Sequence, residues 1–202
     1  GVHVALRAME RLAQESLAGR LAPGHSTEKP CEKTRRPKAA AELLGPKAPG
    51  VPVTLMVRGG PLRDPDLKRE LQRAEARGLA RYEGPYTEHD LPAVLAGLDA
   101  LVIPSLWPET GPMVWMEALA AGLPVIASDV GALTGRVRHG QDGLLTPPGD
   151  PTALADAVKE MISSYDTLRR GAMSRTVRCL DDVVRDRDQV YDEAILAEAQ
   201  SR

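Results

Sequence analysis

Residues 101–128 read LVIPSLWPETGPMVWMEALAAGLPVIAS. Leu101 to Ile103 and Val125 to Ala127 are short, largely β-branched runs flanking a segment that opens as a loop and continues as a helix. Strand, loop, helix and strand make the unit of a parallel α/β sheet. Pro108 and Glu109 occupy the loop, and Pro112 suits the first helical position, where its missing N–H costs nothing. The helix is expected to run to about Ala121, with Gly122 as its stop and Pro124 beyond.

Glu117 interrupts this pattern. Its helical neighbours three and four residues away are Met113, Val114, Ala120 and Ala121, so its carboxylate shares an apolar stripe expected to face the sheet. A buried unpaired charge is costly, so a partner is expected. The place for one is the carboxyl end of the strands, where open α/β sheets bind ligands. The helix start there offers the amides of Met113 and Val114 and the positive end of a dipole, which suit phosphate or sugar hydroxyls. Glu109, at the strand's end, is expected to face the same crevice.

The run from Glu109 through Thr110, Gly111, Pro112, Met113 and Val114 to Glu117, Gly122, Pro124 and Ser128 resembles the donor-site signature of retaining glycosyltransferases of family 4. Those enzymes have the GT-B fold, two Rossmann-like domains facing across a cleft. The resemblance implies that Glu109 contacts the transferred sugar and Glu117 the ribose of the nucleotide. UDP or GDP is the implied nucleotide, with no metal required. Gly111-Pro112 departs from the aromatic-glycine pair frequent at that point. The competing reading of the same residues is a solvated helix that happens to carry two acids.

The 202 residues suffice for one α/β domain with appendages. Apolar residues at 43% and charged residues at 27% are ordinary for a globular protein, and a net charge of -2 gives no reason to expect nucleic acid. Cys31 and Cys179 lack metal-type spacing, so a reducing, cytoplasmic setting is the default. No run approaches the ~20 apolar residues of a membrane span, and no signal peptide is present. The chain opens at Gly1 with a helix already under way, which reads as a piece cut from something longer.

Val2, Ala5, Leu6, Met9, Leu12, Ala13 and Leu17 have the spacing of one helical face. In the resembled family such a helix follows the first strand of the donor domain, so that strand is expected ahead of Gly1, outside this sequence. Residues 20–50 are rich in Pro and Gly, with Lys29, Lys33, Arg35, Arg36 and Lys38 clustered in the middle. They read as a mobile insertion, because structureless loops beyond about 15 residues are uncommon in compact domains. The basic cluster is either a solvated loop or a contact for phosphate or an anionic membrane, which would make the full-length protein peripherally membrane-associated. Gly19-Arg20-Leu21-Ala22-Pro23 resembles the family segment whose arginine grips the diphosphate. Here, though, it follows the first helix instead of preceding it, so Arg20 is a donor-site candidate on resemblance alone.

Val51 to Val57 reads as a buried strand ending in Arg58-Gly59-Gly60-Pro61, where glycines either let backbone approach a ligand or simply make a turn. Asp64-Pro65 caps a helix through about Arg77. Leu79 to Tyr82 is a short strand, and Thr87 with Asp90 forms a capping pair for the helix containing Leu91, Val94 and Leu95. The resemblance makes Gly84, Pro85 and Tyr86 base-site candidates, although Tyr86 also suits ordinary packing. Gly131 fits a loop passing close to the donor, and Gly135 stands where the family usually has a second acid. Arg136 and Arg138 are either phosphate neighbours or structural, and His139 is a general base only if a substrate proton lies within reach. Asp142 to Thr146 is a last strand, Asp150-Pro151 caps another helix, and two more helices are expected at about 165–180 and 181–199. The family's final helix crosses back to the other domain, a task implied here for Val190, Tyr191, Ile195 and Leu196.

The expected architecture is a Rossmann-like parallel sheet with helices on both faces, a GT-B half-domain over residues 1–202 lacking its first strand. Its expected function is to bind the nucleotide-sugar donor of a retaining glycosyltransferase, inactive without an N-terminal acceptor domain. The alternative is a non-catalytic nucleotide-binding or regulatory module of the same fold. Hydrolysis or epimerisation of a nucleotide sugar is a third reading, which the two glutamates fit less well.

Overall fold

In the computed structural model, residues 1–17, 53–177 and 180–200 are described. Arg20, the 20–50 segment and both cysteines lie outside them. Helix α1 (Val2–Leu17) is followed by β1 (Leu55–Val57), α2 (Pro65–Ala76), β2 (Ala80–Tyr82) and α3 (Leu91–Ala96). Then come β3 (Leu101–Ile103), α4 (Met113–Ala120), β4 (Val125–Ser128), α5 (Ala132–Arg136) and β5 (Gly143–Thr146). Helices α6 (Pro151–Ser163), α7 (Tyr165–Met173) and α8 (Leu180–Gln200) complete the order.

All strand pairing is parallel, as the alternation of strands and helices requires. The strands form two sheets instead of the single one expected. β3, β4 and β5 pair in that order, with Leu101 opposite Val125 and Val125 opposite Gly143, while β1 pairs with β2, Leu55 opposite Ala80. Among the described residues no strand bonds both β1 and β3, so the two sheets stay separate.

Strand β4 is buried along its whole length, and successive side chains alternate between two cores. Ile126 joins Leu6, Met9 and Leu12 of α1 and Leu154 and Met161 of α6. Val125 and Ala127 point the other way, to Trp115, Ala118 and Leu119 of α4 and Leu133 of α5. Helices therefore cover both faces. Each fully buried leucine, such as Leu6 or Leu12, contributes about 2 kcal/mol.

The helix boundaries follow local chemistry. Asp64 accepts from the amides of Asp66 (2.8 Å) and Leu67 (3.4 Å), and Asp150 from those of Thr152 (2.8 Å) and Ala153 (3.1 Å), each with proline at the next position. Helix α4 ends in a Schellman motif: the Gly122 amide bonds the Leu119 carbonyl (2.9 Å) and the Leu123 amide that of Ala118 (2.8 Å), with Gly122 at φ 67°. Helix α7 is shorter than expected, stopping at Met173. Beyond it Arg175 leaves the helix to reach Asp142, a carboxylate only 1% exposed. Asp142 accepts from Arg175 Nη1 (2.8 Å), Arg138 Nε (2.6 Å) and the Arg138 amide (2.9 Å). A methyl on Gly171 would lie 1.8 Å from the Gln141 carbonyl oxygen, so α7 presses directly on the same turn.

Two expectations follow. Asp142→Ala removes the buried acceptor of two partly exposed arginines and should lower unfolding free energy in urea by roughly 1.5–3 kcal/mol, the contribution of hydrogen bonds to a charged group; a loss under about 1 kcal/mol, the value of a surface pair, would refute the clamp. The Thr87 hydroxyl and amide donate to Asp90 (2.7 and 3.0 Å), and this holds the Asp90 carboxyl below its usual range. A lowered pKa stabilises the fold above the ordinary aspartate range and loses that contribution as pH falls through the lowered value. Thr87→Val should therefore melt lower than wild type at neutral pH, with the gap closing in acid.

Candidate active site

The loop leaving β3 carries Glu109, half-buried, whose carboxylate accepts a hydrogen bond from the Ser105 hydroxyl. Four residues of loop bring the hydroxyl back to the acid. The same loop is clamped from β4. Gly131 has φ 60° and ψ -137°, and a methyl there would lie 2.8 Å from Pro108 Cα and from the Glu109 amide nitrogen. The Ala132 amide donates to the Glu109 carbonyl (3.0 Å). Only glycine allows this approach, so the missing side chain at Gly131 serves the Glu109 backbone.

Helix α4 begins at Met113, one residue later than expected, with Pro112 as N-cap and no side chain capping it. Its first amides, Met113 and Val114 among them, have no intrahelical acceptor. The guanidinium of Arg136 sits beside this start, 2.5 Å from where a Gly111 Cβ would lie. It also lies 5.6 Å from the centre of the Trp115 ring, which Arg175 approaches at the same distance. Arg136 is thus held by a cation–π contact and has no ion-pair partner among the described residues.

The buried face of α4 is Trp115, Ala118 and Leu119, not the stripe expected around Glu117. Met113 is 68% exposed, and Ala120 and Ala121 are exposed too. Apart from Glu117 every residue of the helix is apolar, so periodicity alone had no polar face to set against the buried one. Glu117 lies at the border with Val114, half-buried. Its carboxylate has no partner among the described residues, and partial exposure removes the penalty that full burial would carry.

A second cluster lies at the ends of β1 and β2. Gly59 (φ 145°) and Gly84 (φ 69°) take conformations that favour glycine, and the Gly59 amide donates to the Gly84 carbonyl (3.1 Å). The Tyr82 hydroxyl bridges the carbonyls of Gly60 (2.9 Å) and Gly59 (3.2 Å). Methyls on Gly59, Gly60 or Gly84 would meet none of the described residues within 4 Å. Tyr86 is 38% exposed beyond this turn, and Thr110 is exposed beside Glu109.

Two cationic or basic candidates are committed elsewhere. Arg138 is bound to Asp142, and His139 Nδ1 accepts from the Leu145 amide (3.0 Å), a bond that needs the neutral ring. Ser105 and Tyr82 were not singled out from sequence. A hydroxyl four residues before an acid in one loop was the only signal for Ser105, and Tyr82 had none, because its partners come from another strand.

Comparison with known proteins gives this geometry a context. The family model described as Glycosyl transferases group 1 matches residues 37–164. A D-inositol 3-phosphate glycosyltransferase of Corynebacterium urealyticum is 34% identical over 136 residues, covering 64% of this chain and 31% of that protein. One from Salinispora tropica is 34% identical over 156 residues, covering 71% of this chain and 31% of its own length. The chain thus spans about a third of these curated relatives. Among solved structures, Anabaena HepE in complex with UDP and glucose is 25% identical with a TM-score of 0.54, covering 74% of this chain and 40% of that one. Sucrose-phosphate synthase from Thermosynechococcus elongatus is 26% identical with a TM-score of 0.58, covering 79% and 41%. The parallel strands with helices on both faces are the Rossmann-like α/β fold of GT-B proteins, and the chain belongs to the group 1 glycosyl transferases.

Proposed function

We propose that this chain is the C-terminal, donor-binding half of a retaining GT-B glycosyltransferase of family 4, and that its crevice holds a nucleoside diphosphate sugar. The observation that carries the reading is the uncapped start of α4, set between Glu109 and an unpartnered, half-buried Glu117. Glu117 accepts from the ribose hydroxyls. Glu109, oriented by Ser105, accepts from the sugar hydroxyls and so places the anomeric carbon. The amides of Met113 and Val114, with Arg136 beside them, stabilise the diphosphate as the glycosidic C–O bond breaks and its electron pair leaves with the phosphate oxygen. Gly59, Gly60 and Tyr86 border the nucleotide, with Gly131 acting through Glu109. Anabaena HepE, 25% identical and crystallised with UDP and glucose, supports this assignment of the ligand class.

The acceptor is held by a facing N-terminal domain in this reading, so the chain alone binds donor without transferring sugar. Exposed Leu106, Trp107 (75%) and Met113 beside Glu109, and Val190, Tyr191 and Ile195 on α8, are apolar surface that such a domain would cover. The open edges of β1 and β3 are where the same reading places the strand expected ahead of Gly1. In this reading donor binding uses helix amides and cations and requires no metal. Among the described residues no helix is long and apolar enough to cross a membrane.

Titration calorimetry with UDP, GDP and ADP and their sugars tests the site. One nucleotide should bind, unaffected by EDTA. Glu117→Ala should weaken it at least tenfold, since hydrogen bonds to a charged group contribute roughly 1.5–3 kcal/mol. Because the Glu117 carboxylate has no partner to lose among the described residues, the thermal midpoint should hardly move; unchanged affinity in this variant would remove the assignment. Sugar transfer should be absent from the chain alone and appear when the N-terminal domain is restored, and full-length protein that binds donor yet transfers nothing would favour a regulatory module instead.

A further inference from the structure

Among the described residues nothing requires Gly60 to be glycine. Its φ lies outside the left-handed region, unlike those of Gly59 and Gly84, and a methyl on it would meet none of the described residues within 4 Å. A side chain at this position would fill only the open space beyond the tips of β1 and β2. Neither strain nor packing explains the choice, whereas close approach of a ligand to backbone does.

The polar groups of this dipeptide are almost all engaged. The Gly59 amide donates to the Gly84 carbonyl at 3.1 Å, and the Tyr82 hydroxyl lies 3.2 Å from the Gly59 carbonyl and 2.9 Å from that of Gly60. The remaining group, the Gly60 amide, has no acceptor among the described residues. Its direction is not free. Every described peptide is trans, and in a planar trans peptide the Gly59 carbonyl and the Gly60 amide point in opposite directions. Drawing the carbonyl toward the Tyr82 hydroxyl therefore turns the amide to the side opposite that hydroxyl. Pro61 follows, so the carbonyl of Gly60 has no N–H behind it. Tyr82 is itself fixed: β2 pairs it with Val57, its ring packs on the core, and its amide donates to Glu75 Oε1 (2.8 Å).

We propose that Tyr82 is a positioning residue whose hydroxyl holds the Gly59–Gly60 peptide so that the Gly60 amide donates to an oxygen of the nucleotide. This rests on the donor-binding reading above. Substituting phenylalanine keeps the ring and its packing and removes only the hydroxyl, so the peptide regains freedom to rotate.

The test uses the whole chain labelled with nitrogen-15 and titrated with UDP, GDP and ADP in turn. In wild type the Gly60 amide resonance should move on adding the nucleotide that binds. In Tyr82→Phe the melting midpoint should be near that of wild type, affinity should fall about fivefold, the effect of one hydrogen bond, and the Gly60 response should shrink. Should Tyr82→Phe fold poorly, Gly60→Ala decides: it adds a methyl in open space, so it should leave the midpoint unchanged and still weaken binding. The proposal is overturned if the Gly60 amide does not respond to bound nucleotide, or if a folded Tyr82→Phe or Gly60→Ala binds as wild type does. With Glu117→Ala still impaired, those results leave the donor-binding reading standing. Wild-type chain that binds none of the three nucleotides overturns both.

Discussion

Strand β4 is the constraint on which the rest depends. Its four residues are all buried, and they must satisfy two cores at once while bonding to β3 on one side and β5 on the other. That demand allows only apolar side chains on both faces until Ser128, where the chain leaves the sheet. Because β4 is fixed, the loops that leave β3 and β4 end within touching distance. Gly131 fits against the backbone of Pro108 and Glu109 with no room for a methyl, and Glu109 inherits its place from that contact.

The chemistry at this end of the sheet comes from groups left without internal partners. Helix α4 starts on a proline, which cannot cap it with a side chain, so its first amides stay available. Glu117 stands half-buried at the border of the buried face, without a partner among the described residues. Arg136 is held by the Trp115 ring and has no ion-pair partner among the described residues, while Arg138 and Arg175 are spent on Asp142. Arginines of similar sequence setting are thus divided between ion-pairing a buried acid and packing on an aromatic ring. In the glycine turns beyond β1 and β2 the carbonyls are tied down by Tyr82 and one amide is left open.

Sequence by itself determined the succession of strands and helices, their parallel pairing and the caps at Asp64, Asp150 and Gly122, because these depend on residues a few positions apart. It also marked the run from Glu109 to Ser128, whose pattern is local. It misjudged which side of α4 is buried, since a helix apolar nearly all round carries no contrast between faces. Only the tertiary structure decided that side, because the helix must set Trp115, Ala118 and Leu119 against β4 and α5. The split between two sheets, the assignment of Arg138 and Arg175 to Asp142, and the reach of Tyr82 to Gly59 and Gly60 were likewise settled by packing. Apart from Arg138 and Asp142, four residues apart in one turn, these contacts join residues from different elements, and such partners are chosen by how strands and helices stack, which no local spacing encodes.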